Sequence, residues 1–397
     1  MSDKVVVTGL GVISAIGNNV NETYQSLVNS KSGIGKMTYL ESRHKPTMPV
    51  AEVKLSDEEL ILLAGVDSNK GFTRTALLGM IAAKEAISDA GITNINEYRT
   101  GLISATTVGG MGKTELFYKQ FLDVASEGDF LAYVSAHDCG ESTERIADYV
   151  GIKDFINTIN TACSSSANAV MLGARLIKNG ILDRVVVGGV DSLTRFTING
   201  FNSLMILDES GCKPFSNNRR GLNLGEGAGY IVIESDKVSK GKKIYCEVSG
   251  YANSCDAYHQ TASSPEGDGA YLSMSEALAV AQLDVSDIDY INAHGTATEI
   301  NDLSEGRAIQ RLFSGKMPIV SSTKSFTGHT LGACGGIEAV FSSLAIDKNT
   351  IYPNLGFEVP MQELDFTPQT EVLTGVKVDH VLSNSFGFGG NNTSLIF

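Results

Sequence analysis

Strand-length apolar runs alternate with stretches of helical period along this chain, and that alternation limits its folds more than any other feature. Lys4 to Ser14 reads as a strand and turn, Thr73 to Ala90 as a helix, and Thr100 to Ala105 as a strand. Asp154 to Ile159 reads as a short strand, Ser165 to Lys178 as a helix, and Arg184 to Gly189 as a buried strand. This order predicts an α/β protein with helices layered on sheets. Past the charged segment Glu234-Ser235-Asp236-Lys237, the run Ile244 to Tyr251 echoes the apolar start and glycine turn of Val5 to Gly11. The echo suggests two related halves, 1–240 and 241–397. The 42 glycines in 397 residues are scattered among apolar runs, which points to tight turns and close backbone packing.

Cys163 sits in the small-residue bend Asn160-Thr161-Ala162-Cys163-Ser164-Ser165-Ser166-Ala167, between the short strand and the helix that follows. A thiol at a helix start faces unpaired backbone N–H groups and the positive end of the dipole, both suited to developing negative charge. It is therefore a candidate nucleophile, beside the plainer reading of a small buried cysteine. His294 follows the apolar run at Ile291, where its ring can project from a sheet edge into a cleft. His329 lies in the polar turn Ser322 to Gly332, before a helix-like run from Gly335 to Ile346. For each histidine, structural hydrogen bonding, catalysis and metal binding all remain open at this level. No closely spaced carboxylate and histidine set indicates a catalytic zinc, and no metal is expected.

The balance of 31 basic and 45 acidic residues, net −14, argues against nonspecific nucleic-acid binding. The six cysteines form no C-x-x-C pair, so reduced thiols are expected in place of a zinc ribbon or disulfide framework. The start Met1-Ser2-Asp3-Lys4 enters a strand pattern with no basic leader, and no stretch reaches the length of a membrane span. A cytoplasmic chain without a membrane span is expected. Gly225-Glu226-Gly227-Ala228-Gly229 lacks both the dinucleotide G-x-G-x-x-G spacing and a phosphate-loop ending, and reads as tight turning.

Four separated segments carry a specific resemblance: Asn160 to Ser165, Asn292-Ala293-His294-Gly295-Thr296, Lys324 to His329, and Asn384-Ser385-Phe386-Gly387-Phe388-Gly389-Gly390. With Asp256-Ala257-Tyr258-His259 and the Gly225 to Gly229 segment, they resemble the elongating beta-ketoacyl-acyl-carrier-protein synthases over residues 4 to 397. The resemblance implies a duplicated thiolase-like fold of five αβαβα layers. It also implies decarboxylative condensation: an acyl chain is held on Cys163, malonyl-carrier loses carbon dioxide, and the product is a 3-oxoacyl-carrier two carbons longer.

By the same resemblance, Cys163, His294, His329 and Lys324 form the catalytic set, with Glu305 supporting it through the Lys324 network. The backbone N–H groups of Cys163 and Phe388 form the oxyanion hole, and Phe388 gates the site on its flexible glycines. Thr296, Thr298 and Phe386 bind substrate, while Val108 bounds the far end of the acyl pocket. No permanently bound cofactor is implied, because the phosphopantetheine arm comes with the acyl-carrier protein. That acidic carrier would need a local basic patch, expected among Lys70, Arg74, Arg219 and Arg220. A homodimer, or a heterodimer with a related synthase subunit, is the implied assembly.

Ala297, Glu299, Asn301, Ser216 and Cys334 depart from the common pattern of that family. They leave open a specialised polyene, pigment or polyketide pathway. A noncatalytic carrier-binding scaffold is the alternative from another class.

Overall fold

The computed structural model describes residues 4–397; Met1 to Asp3, where the leader-free reading begins, lie outside the described residues. One sheet contains β1 (Val5–Ser14), β2 (Thr100–Ala105), β3 (Phe155–Ile159), β4 (Arg184–Asp191), β5 (Gly227–Ser235) and β6 (Cys246–Glu247) in the order β3-β2-β4-β5-β1-β6. The second contains β7 (Gly250–Cys255), β8 (Tyr290–Asn292) and β9 (Ile319–Ser321). After a two-stranded ribbon, β10 (Thr350–Ile351) and β11 (Leu373–Thr374), it is completed by β12 (Val381–Gly387) and β13 (Asn391–Ile396), in the order β7-β13-β12-β8-β9.

The helices are α1 (Val20–Val28), α2 (Asp57–Ala64), α3 (Arg74–Asp89), α4 (Met111–Leu122), α5 (Cys139–Val150), α6 (Ser165–Lys178) and α7 (Arg195–Ser203). In the second half come α8 (Asp268–Ala281), α9 (Glu299–Leu312), the single turn α10 (Lys324–Thr327) and α11 (Cys334–Lys348). Helices α3 and α5 cover the outer face of the first sheet, and α8 that of the second, with α9 packed beside α8 in the same apolar cluster. Helices α6 and α11 are packed between the sheets, touching strands of both. This is the expected five-layer order, with α6 and α11 as the central layer.

Small residues let the layers approach. Every residue of β1 is buried. A side chain at Gly11 would place Cβ 2.0 Å from the Ala82 carbonyl oxygen, so β1 can lie against α3 only because no Cβ is present. Gly229 plays the same part for α11: its Cβ would stand 2.4 Å from Ile337 N. The Gly225 to Gly229 segment thus serves close packing as much as turning.

The strand and helix expectations in the first half are met to within two residues at each end, except that the glycine turn expected between Lys4 and Ser14 is absent and β1 runs unbroken to Ser14. The Ile244 to Tyr251 echo differs: β6 pairs with β1 inside the first sheet, and β7 opens the second. Apolar periodicity detects a strand run but not the Val248 to Ser249 crossover that divides it, since that break depends on which sheet each end can bond.

Candidate active site

The two histidines and the cysteine come from different layers. Strand β3 ends at Ile159, and the chain turns through Ala162, whose φ of +55° is left-handed, before α6 begins. That turn buries Cys163 between the sheets, at 6 % exposure. Ser164, the residue before α6, makes no capping bond to the helix backbone; its single hydroxyl proton is instead shared between Thr161 O (2.8 Å) and Asn391 Oδ1 (2.7 Å). The first turn of α6 is thus left without a side-chain cap beside the thiol. At Gly387 a Cβ would stand 3.2 Å from Cys163 N, so glycine lets the end of β12 lie against the nucleophile turn.

His294 follows β8, and His329 sits between α10 and α11. Their rings meet edge to face with centroids 5.4 Å apart. Cys163 Sγ and one nitrogen from each ring lie within 4.8 Å of one another, all buried. These three residues are also the group whose ligand atoms are spaced to hold a metal ion. Leu331 N–H donates to His329 Nδ1 at 3.0 Å, so the neutral ring carries its proton on Nε2.

Burial pushes the His294 pKa well below its ordinary 6.5, assisted by the nearby charge of Lys324 and by His329. The ring is therefore neutral and available as an N–H donor. Between the depressed folded value and about 6.5 the unfolded chain holds the extra proton. His294 thus contributes stability that is complete above about 6.5 and lost as pH falls. Denaturation midpoints measured at about pH 5 and about pH 7.5 should differ more for wild type than for His294→Gln. Equal pH dependence in the two proteins would count against a buried neutral His294.

The charge of Glu305 acts on Lys324 as expected, but the hydrogen bonds of both residues go to other partners. Glu305 on α9 accepts from His294 N (2.9 Å), Gly295 N (2.8 Å) and Asn384 Nδ2 (3.2 Å), so it holds the His294 turn directly. Burial pushes its pKa up to about 7 against those donors. The hydrogen-bonded partner of Lys324 is Glu338 on α11, at 2.5 Å, a residue the sequence reading did not find. Lys324 therefore stands behind the histidines in a buried ion pair.

Cys163, His294, His329, Thr296, Thr298, Phe386 and Phe388 all line one cavity of about 430 Å³. Thr296 and Thr298 are joined hydroxyl to hydroxyl at 2.9 Å. Phe386 lies 5.9 Å from the His294 ring by centroids, and Phe388 stacks on Phe201 at 5.7 Å. Phe201, on α7, carried no signal in the sequence. Val108 does not line this cavity; it packs behind it with Leu193, Leu222 and Leu331.

The expected basic patch is corrected. Arg74 is bound to Glu226 (2.7 Å) and Asp57 (3.1 Å), and Arg219 is buried on the carbonyls of Ser216, Thr298 and Glu299. A guanidinium satisfied inside the fold is not free to meet a carrier. Arg220 is exposed at the cavity mouth, and Lys70 is exposed elsewhere. Among the described residues no helix is long and apolar enough to cross a membrane.

A five-layered double α/β sandwich that closes over a buried cysteine and two histidines defines an enzyme of the thiolase-like class. Residues 2–239 match the model of the beta-ketoacyl synthase N-terminal domain, and residues 245–358 that of the beta-ketoacyl synthase C-terminal domain. The chain belongs to the beta-ketoacyl synthase family. It is 35% identical to 3-oxoacyl-[acyl-carrier-protein] synthase 2 of Staphylococcus aureus (strain COL), covering 99% of this chain and 98% of the relative. Among solved structures it is similar to the ishigamide ketosynthase/chain length factor, with TM-score 0.91, 30% identity, and coverage of 100% of this chain and 99% of that one. It is also similar to a type II polyketide ketosynthase solved with its acyl-carrier protein and a bound hexaketide, with TM-score 0.87, 26% identity, and coverage of 100% and 99%.

Proposed function

We propose that this chain condenses malonyl-acyl-carrier protein with an acyl thioester, giving a 3-oxoacyl-acyl-carrier protein two carbons longer. The observation that carries this reading is the joint placement of Cys163 Sγ and two imidazole nitrogens within 4.8 Å at one cavity. Residues 1–240 then form the half that carries the nucleophile, and 241–397 the half that carries the histidines. The acyl-carrier protein is the partner, and its phosphopantetheine arm enters past Thr296 and Thr298 as part of the substrate. Two copies of the chain, or this chain and a related subunit, form the assembly, in the cytoplasm.

In the first step Cys163 Sγ attacks the thioester carbon, and the oxyanion is met by the backbone N–H groups of Cys163 and Phe388. The arm thiol leaves, and its place is taken by malonyl-carrier. The bond between the malonyl carboxylate and its α-carbon then breaks to release carbon dioxide. His329 Nε2–H and the neutral His294 ring donate to the thioester oxygen, which takes up the electron pair as an enolate. The enolate carbon attacks the acyl carbon on Cys163, and the thiolate departs. Each such donor is worth roughly 3 kcal/mol in comparable acyl-transfer sites. Phe388 gates the cavity in this reading, which its stacking on Phe201 and the positive φ of Gly389 and Gly390 (+86° and +79°) support.

A specialised polyene or polyketide pathway is the second reading, favoured by the similarity to the type II polyketide ketosynthase solved with a bound hexaketide. Mass spectrometry after exposure to a panel of acyl-carriers, then malonyl-carrier, tests both readings. Saturated chains extended by two carbons support fatty-acid elongation, and selective turnover of unsaturated chains supports the specialised branch. No adduct on Cys163 with any chain would support the scaffold alternative. Within this assay His329→Ala should slow malonyl decarboxylation by on the order of 10²-fold while leaving Cys163 acylation within a few fold. Equal loss of both partial reactions would remove His329 from the donor role.

A further inference from the structure

The carboxylate of Asp191, at the end of β4, is fully buried and does not line the reaction cavity. It accepts from five donors: Thr106 Oγ1 (2.6 Å), Thr107 N (2.9 Å), Thr107 Oγ1 (2.7 Å), Val108 N (3.1 Å) and Gly332 N (2.7 Å). Three of the donor residues form the loop that carries Val108. The fourth, Gly332, is in the turn that carries His329.

That second turn is strained. Leu331 is a non-glycine residue at φ +52°, a left-handed conformation that persists only where neighbours enforce it. Two successive N–H groups enforce it here: Leu331 N–H on His329 Nδ1 and Gly332 N–H on Asp191 Oδ2. Charge assistance makes the Asp191 bond stronger than a bond between neutral groups. The space is equally constrained, since a Cβ at Gly332 would stand 2.9 Å from the same oxygen. On the other side, Thr106 Oγ1 also accepts from Gly109 N at 3.0 Å, which closes the loop around Val108. Val108 and Leu331 then pack in one apolar cluster behind the reaction cavity.

We propose that Asp191 is a positioning residue that sets two properties of the site at once: the orientation of His329 and, through the packing of Val108 behind the reaction cavity, the depth open to an acyl chain. This rests on the condensation reading above. A carboxylate is suited to the task because both oxygens accept, so it can bind donors from two segments with nothing to repel either. An asparagine of the same size has one accepting oxygen and an NH₂ that would face one set of N–H donors.

Three variants separate the two arms. Asp191→Asn should slow malonyl-carrier decarboxylation on the order of tenfold in kcat with KM little changed, and should also change the ratio of longest to shortest acyl chains loaded on Cys163. Thr106→Val loosens only the Val108 side and should change the chain-length ratio by about threefold at an unaltered decarboxylation rate. Gly332→Ala would set a Cβ 2.9 Å from Asp191 Oδ2 and 3.0 Å from Thr107 Cγ2, between the two segments, and should move both readouts as Asp191→Asn does. The assignment is overturned if Asp191→Asn matches wild type in both readouts. It is also overturned if all three variants lose both activities in proportion to their loss of thermal stability. Should Asp191→Asn fail to fold, the contrast between Thr106→Val, which should change the chain-length ratio alone, and Gly332→Ala, which should change both readouts, decides the matter. Wild-type protein that neither loads acyl chains nor decarboxylates malonyl-carrier sinks the condensation reading, and this one with it.

Discussion

Cys163→Ala should form no acyl-enzyme with any carrier-borne chain, and condensation should fall by at least on the order of 10³-fold. No neighbouring group can replace the lost sulfur. Cys334 is the closest rival, with Sγ 3.3 Å from His329 Nδ1, but it touches the nitrogen that accepts from Leu331 N–H. Burial also pushes its pKa up to about 11, so it remains a thiol. The fold should tolerate the change, because removing one sulfur from a small buried side chain costs about 1 kcal/mol. Intact-mass spectrometry and a thermal melt settle both points together. An adduct of unchanged stoichiometry in the alanine protein would show that another residue carries the chain.

Lys324→Ala should give the largest loss of stability of any single change at the site. The Lys324 and Glu338 side chains are 2 % and 4 % exposed and bonded at 2.5 Å. Removing the ammonium leaves a carboxylate in the central layer with no countercharge, at a cost of about 3–5 kcal/mol. Replacing both residues with apolar side chains of similar size, as in Lys324→Met with Glu338→Leu, should recover most of that loss, since no isolated charge remains. Urea midpoints for the single and double variants measure the difference. A Lys324→Ala protein as stable as wild type would show that Glu338 finds another partner or takes up a proton at little cost. The single variant also carries a catalytic signature. Lys324 helps hold the His294 pKa down, so its loss should shift the His294-dependent acid limb of decarboxylation to higher pH.

The features legible in the chain were local ones. The strand at Val5, the helix at Arg74 and the nucleophile turn before α6 follow from apolar period and turn chemistry within a few residues. Cys163, His294 and His329 each stand at the end of an element, which is where a layered α/β fold exposes side chains to a cleft, and the fold brings all three together.

The unforeseen parts depend on distance in sequence. Glu338 lies one helix away from Lys324, and only the packing of α11 between the sheets makes it the countercharge. Arg74 and Arg219 looked like surface charge because nothing near them in the chain revealed Glu226 or the carbonyls at Thr298 and Glu299. Asp191 meets Gly332 across 141 residues, and Phe201 meets Phe388 from the other half of the molecule. Short-range period therefore specified the layering of strands and helices, and the resemblance of four motifs to a known family pointed to the reactive side chains. The partners of the buried charges and the shape of the pocket came from the packing of those layers, because desolvation and hydrogen bonding act through space and leave no periodic mark along the chain.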